Sequence, residues 1–94
     1  MELYKILHKP TGLYYKPNRG NGNFSKSGKV YTMKPQLRWL EHKMKIRLYT
    51  YSGKFNKFQQ TLLNYFKIEI PGNPFIVEQY VFVPIEDWEI IKIN

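Results

Sequence analysis

Residues 19–32, RGNGNFSKSGKVYT, are the stretch on which the fold turns. Read as a phosphate loop, it would open a helix and make the chain a nucleotide-binding α/β domain. Read as a glycine-rich connection between short strands, it leaves an antiparallel domain. A phosphate loop needs G-x-x-x-x-G-K-[ST], with glycines for close backbone approach and a hydroxyl for magnesium. Counted back from Gly28-Lys29, the first glycine should stand at position 23, which is Asn23, and the hydroxyl position is Val30. Lys29–Thr32 also has the pattern of a strand, not of a helix start. The dinucleotide fingerprint fails too: Gly20 and Gly22 would need a third glycine at Ser25, and no long βαβ unit surrounds them.

With nucleotide cradles set aside, a simpler chemistry remains. Glycines expose backbone N–H groups, Ser25 and Ser27 add hydroxyls, and Arg19, Lys26 and Lys29 add charge, with Lys16 and Lys34 near in sequence. Tyr14, Tyr15, Phe24 and Tyr31 are interleaved with them. Cations for phosphates and aromatic faces for bases are what single-strand binding uses. The expected anion-binding set is therefore Tyr14, Lys16, Arg19, Phe24, Lys26, Lys29, Lys34 and Arg38, with Phe24 or Tyr14 stacking. Two other readings stay open: the patch faces an acidic protein surface, or it is a solvated loop with Tyr15 and Tyr31 in the core.

Outward from this stretch the pattern is α+β. Glu2–His8 alternates as a strand, Lys9-Pro10-Thr11-Gly12 is a turn, and Leu13–Lys16 returns as the second arm of a hairpin. Pro17–Gly28 reads as a long loop and Lys29–Thr32 as a short strand. Pro35 suits a first helical turn, with Leu37, Leu40 and Met44 as an apolar stripe and Lys34, Arg38 and His42 as a basic face. Lys45–Tyr51 alternates again. Asn56 with Gln59 is a capping-box variant ahead of a second helix carrying Phe58, Leu62, Leu63 and Phe66. Lys67–Ile70, Phe75–Val83 and Glu89–Ile93 read as strands, with a short helical turn at Ile85–Trp88. The expected architecture is a small single domain over residues 1–94, a mainly antiparallel sheet of about six short strands with two helices.

Composition bounds the function. Ninety-four residues suit one domain with a modest core. The absence of cysteine excludes disulfides, thiolate zinc sites and cysteine nucleophiles. No apolar run approaches the about 18 residues a bilayer span needs, and MELYKILHKP has no signal-peptide pattern. The expectation is a cytoplasmic protein without a membrane partner. There is no alanine, while Lys, Ile, Asn, Tyr and Phe abound, a bias that AT-rich coding sequences produce. The net charge is +8 and uneven. Residues 1–67 hold 14 of the 15 Lys and Arg against Glu2 and Glu41, a net +12. Residues 68–94 hold Lys92 against Glu69, Glu78, Glu86, Asp87 and Glu89, a net −4. Such asymmetry suits an anionic partner through steering and counterion release. The bland alternative is a basic excess that only keeps the chain soluble.

Catalytic chemistry has little to work with. His8, His42 and Asp87 are the only candidates for a hydroxyl–imidazole–carboxylate relay, and nothing in their spacing joins them. Glu86, Asp87 and Glu89 lack a matching metal-ligand set. They could instead pair with the basic part of the same chain. No cofactor or metal is expected, and no enzyme activity. Trp39 and Trp88 are each expected at least half buried, with an interface anchor as the alternative, above all at Trp39.

The runs KILHKPTGLYYKP, GNFSKSGKVYT, PQLRWL and EDWEIIKI resemble small accessory proteins of bacteriophages. Those chains have a TGL-[FY] hairpin, here Thr11-Gly12-Leu13-Tyr14, and an SGK-[VI]-[YW] strand, here Ser27-Gly28-Lys29-Val30-Tyr31. They also have a Leu-rich short helix, here Leu37–Leu40, and a C-terminal Trp strand, here Trp88–Ile93. The resemblance covers about half the chain and carries no active site. It implies a context in the host cytoplasm, where such proteins bind host polymerases, nucleases or anti-phage defence complexes. The sequence thus leaves three readings: a nucleic-acid or nucleoprotein binder, an inhibitor of a host protein with an acidic surface, and a structural virion component or homo-oligomer using exposed sheet edges.

Overall fold

The computed structural model describes residues 1–18, 21–40, 42–70, 72 and 75–94. Along the chain come β1 (Tyr4–His8), β2 (Leu13–Asn18), β3 (Asn21–Ser25), a 3₁₀ turn (Leu37–Trp39), β4 (Lys43–Tyr49), α1 (Lys57–Tyr65), β5 (Ile76–Phe82), a 3₁₀ turn (Ile85–Asp87) and β6 (Trp88–Lys92). The strands form two antiparallel sheets, one in the order β3-β2-β1-β6 and a ribbon of β4 with β5. The mainly antiparallel six-strand expectation holds; the expectation of two helices does not.

The N-terminal hairpin turns where the chain carries Gly12, at φ 72°. Its N–H reaches the His8 carbonyl at 2.9 Å. The stretch expected to be a long loop instead supplies β3. Alternation in β2 and β3 puts Tyr15 opposite Phe24 and Pro17 opposite Gly22. Phe24 and Gly22 are buried. Asn and Gly have poor strand propensity, so one large apolar residue, Phe24, carries the strand's burial. A Cβ on Gly22 would come within 2.1 Å of the Tyr15 ring, so that ring fills the space a side chain would occupy.

From β3 the chain must cross β2 to reach β1. Lys29 N–H donates to the Tyr15 carbonyl (3.3 Å), and Tyr31 exchanges two backbone hydrogen bonds with Tyr4. Gly28 makes the crossing on the Tyr14 side, at φ 71°, where a Cβ would lie 2.4 Å from the Tyr14 Cβ. The strand expected at Lys29–Thr32 is reduced to that one bridge at Tyr31.

The first expected helix is overturned. Only Leu37–Trp39 is helical, as a 3₁₀ turn; Gln36 provides no side-chain cap, and Leu40 is already extended. Met44 fits two periods, the helical stripe Leu37-Leu40-Met44 and the alternation Met44-Ile46-Leu48. The second wins because β5 offers a partner that buries it: Met44 faces Val81 and Leu48 faces Val77. Lys34, Arg38 and His42 therefore share no helix face.

The capping box at α1 forms: Gln59 N–H donates to Asn56 Oδ1 at 2.8 Å and Asn56 N–H to Gln59 Oε1 at 2.9 Å. The helix ends in a Schellman turn. Ile68 N–H reaches Leu63 O at 3.0 Å and Lys67 N–H reaches Asn64 O at 3.4 Å. Lys67 sits at φ 53°, so 67–70 is a helix terminus and not the expected strand. One apolar cluster takes Ile6, Leu13, Phe24 and Trp88 from the larger sheet, Met44, Ile46, Leu48, Val77 and Val81 from the ribbon, and Leu62 and Leu63 from α1.

Candidate nucleic-acid interface

The residues singled out from the sequence scatter. Phe24 is not an exposed stacking platform: it is 8% exposed and stacks on Trp88 at 5.5 Å between centroids. Ser25 Oγ accepts from Gly28 N–H at 3.0 Å, so its hydroxyl closes the crossing turn. Lys29 lies over the Tyr31 ring at 5.0 Å, and Lys34 is exposed close to Glu2, whose carboxyl it helps hold below the usual range after Tyr4 and Lys92. Arg38 is exposed on the 3₁₀ turn. Trp39 is 62% exposed, which overturns the expected half-burial; Trp88 is buried as expected. Arg19 lies outside the described residues.

Tyr14 and Lys16 do share a face. They alternate with the inward Leu13 and Tyr15 along β2, and Lys5 Nζ stands 4.9 Å over the Tyr14 ring. From Lys16 the surface runs into a groove between β2–β3 and the free edge of β4. The groove comprises two adjoining cavities of about 470 and 480 Å³. Lys16 and Lys26 stand on one side, Lys45 and Arg47 on the other, with Asn18, Asn23 and Asn56 between them; Phe24 and Phe58 form the floor. Among the described residues no carboxylate lines it. Glu78 holds Lys45 at 3.0 Å and Arg47 at 3.2 Å. No ion pair among the described residues engages Lys16 or Lys26.

The groove opens onto a surface that sequence reasoning missed. Alternation sends Met44, Ile46 and Leu48 inward, so Lys43, Lys45, Arg47 and Tyr49 face outward. The register sets them opposite Phe82, Tyr80, Glu78 and Ile76 in turn. Phe82 is 64% and Tyr80 57% exposed. Lys45 Nζ lies 5.9 Å from the Tyr80 centroid and the Arg47 guanidinium 5.0 Å from that of Tyr49. His42 stacks on Phe82 at 5.6 Å with 8° between the planes. The signal was half visible, because Lys45, Arg47 and Tyr49 alternate in sequence. The aromatic half comes from β5, some 30 residues on, and only strand pairing joins the two.

Behind Phe24, whose ring lies 5.0 Å from that of His8, the structure joins residues whose spacing gave no hint of it. His8 is fully buried. Its Nε2 lies 3.2 Å from Asp87 Oδ2 and its Nδ1 2.7 Å from Thr11 Oγ1. The order hydroxyl–imidazole–carboxylate is that of a nucleophilic relay, but the groups are otherwise engaged. Thr11 Oγ1 accepts the Leu13 N–H of its own turn (3.3 Å), and Asp87 also accepts from Tyr65 O–H (3.2 Å). Burial holds His8 below its ordinary value, with Asp87 opposing. The cluster ties the hairpin turn to the 3₁₀ turn before β6, since Lys9 N–H also donates to Asp87 O at 2.8 Å. The acidic C-terminal third is partly spent on the same chain, through Glu78 on Lys45 and Arg47 and through Asp87 on His8.

Among the described residues no helix is long and apolar enough to cross a membrane. No family model, curated protein or solved structure matches the chain.

Proposed function

We propose that this chain is a non-enzymatic binding module for an anionic polymer, nucleic acid or a nucleoprotein complex. One observation carries the reading. The groove beside β4 gathers Lys16, Lys26, Lys45 and Arg47 around Asn18, Asn23 and Asn56, with no carboxylate in its lining among the described residues. Cations fix phosphates and release their counterions; an amide such as that of Asn23 supplies both a donor and an acceptor for base edges, while Asn56 Oδ1 serves the α1 cap. Lys16 and Lys26 carry the largest share, because Glu78 already offsets part of the charge at Lys45 and Arg47.

The test is a salt titration of binding to labelled oligonucleotides, followed by anisotropy, for the wild type and the double variant Lys16→Glu, Lys26→Glu. Both side chains are exposed, so the variant keeps its melting temperature within a few degrees. Its log–log salt slope should fall by about 0.7–0.9 for each phosphate that is no longer neutralised. A folded variant with unchanged affinity and slope removes the groove from the interface.

A second reading is a phage-type inhibitor of a host protein with an acidic surface, and the exposure of Trp39 favours it. A large indole in solvent beside Arg38 is the composition of a protein hot spot. If Trp39→Ala leaves nucleic-acid affinity untouched while abolishing co-purification with a host protein from nuclease-treated lysate, this second reading replaces the first.

A further inference from the structure

We infer that the outer face of the β4–β5 ribbon is a stacking platform for single-stranded nucleic acid, with bases on Tyr80, Phe82 and Tyr49 and phosphates on Lys43, Lys45 and Arg47. The inference rests on the nucleic-acid reading above and adds to it the form of the ligand and the residues that select it.

Three features of the ribbon support this. First, its aromatic rings are in solvent although the core lies directly behind them; Phe82 and Tyr80 are more than half exposed. An antiparallel pair with one packed face turns polar groups to water on the other, and here that face carries rings instead. Second, the rings are interleaved with cations by register. Lys43 stands opposite Phe82 and Lys45 opposite Tyr80, with Arg47 between Lys45 and Tyr49 along β4. A base stacked on a ring thus has a cation beside it for its phosphate. Third, the spacing selects the strand. Side chains two apart on one strand, such as Tyr80 and Phe82, recur every ~6.6–6.8 Å. That is roughly twice the 3.4 Å rise per nucleotide of a stacked duplex strand. Successive rings can receive successive bases only if those bases are unstacked from one another, which a single strand permits and a duplex does not.

The same face argues against its other occupants. Lys43, Lys45 and Arg47 against Glu78 leave it net positive, so two copies packed face to face would bring like charges together. An acidic protein would satisfy the cations but has no reason to require exposed rings at this repeat. The groove meets the platform at Lys45, Arg47 and Tyr49, which belong to both, so one extended strand can run along the two.

The experiment measures anisotropy of labelled 20-nucleotide oligothymidylate, oligouridylate and a 20-base-pair DNA duplex at low salt. The proteins are the wild type, Tyr80→Ala/Phe82→Ala and the ring-retaining Tyr80→Phe/Phe82→Tyr. The expected result is single-strand affinity well above duplex affinity in the wild type. The alanine pair should lose about tenfold or more of it at an unchanged salt slope, while the ring-retaining pair stays near wild type. The oligothymidylate and oligouridylate arms tell DNA from RNA. Equal loss in both alanine and ring-retaining variants, or a folded alanine pair that binds single strands as the wild type does, overturns the platform. Wild-type binding that is equal for duplex and single strand also overturns it while leaving the groove reading in place. Absence of all binding by the wild type sinks both. Light scattering that shows a dimer lost in the alanine pair assigns the face to a second copy and likewise overturns the proposal.

Discussion

Phe24, Tyr15, His8 and Trp88 in the larger sheet, and Phe82, Tyr80, Tyr49 and His42 in or beside the ribbon, are nearly the same set of side chains with opposite fates. Each set lies on antiparallel strands, save His42 just before β4, and each has its rings within about 6 Å of one another or of a cation. The first set is covered, because the end of α1 sets Tyr65 and Phe66 against His8 at 5.4 and 6.2 Å. The second set has no layer over it among the described residues. Residue type and alternation are alike in both. What separates them is which face of each sheet meets α1 and the rest of the core. The buried set is therefore the place to look for stability and the exposed set for recognition.

Breaking the buried set should have the largest effect. Trp88→Ala removes a ring stacked on Phe24 and is expected to cost about 3–5 kcal/mol, read from urea unfolding. Trp88→Phe should lose far less, because the indole N–H has no hydrogen-bond partner among the described residues to give up.

The buried histidine gives the next effect through pH. The folded chain holds His8 below its ordinary value near 6.5, so below that pH the unfolded chain binds a proton that the folded chain refuses. The stability from neutral His8 is fully present above 6.5 and falls as pH drops through the window down to the folded value. The slope approaches about 1.4 kcal/mol per pH unit at most. Urea midpoints at pH 7.5 and 5.5 for wild type and His8→Gln check this. A variant as acid-sensitive as the wild type would assign the slope to other groups.

A smaller gain should come from the turn that brings α1 over the buried set. Lys67 holds a left-handed conformation that glycine adopts without a Cβ penalty. Lys67→Gly is expected to raise stability by about 0.5–1 kcal/mol in the same unfolding experiment. The smallest effect belongs to the exposed set. Tyr80→Ala and Phe82→Ala should each change stability by no more than about 0.5 kcal/mol. A loss of several kcal/mol would mean that these rings support the fold and would remove the contrast between the two sets.

Much of the fold was legible in local chemistry. The Gly12 turn, the Asn56–Gln59 capping box, the alternation of β1 and β4, the β-branched and aromatic content of β5 and the 3₁₀ turn after Pro84 each depend on residues within a few positions of one another. The charge asymmetry was legible for the same reason. β3 was not: Asn21-Gly22-Asn23 has no strand propensity of its own, and its order comes from Tyr15 and Phe24 packing across the register. The first expected helix failed because Met44 satisfied two periods equally, and the choice lay with Val81, far along the chain. Of the candidate site, Lys16 and Lys26 come to one groove while Phe24 turns inward. The ribbon's ring-and-cation ladder needed both β4 and β5 to be seen together.

The sequence by itself thus determined the turns, the helix cap, the alternation of β1 and of most of β4, and the basic excess, because short-range sterics, hydrogen bonds and charge depend only on neighbours in the chain. The tertiary structure alone decided which of two periods Met44 obeys, which aromatic rings are buried and which cations share a groove. Those outcomes depend on strand register and on the layer packed against each sheet. A shift of one residue in register would exchange the faces.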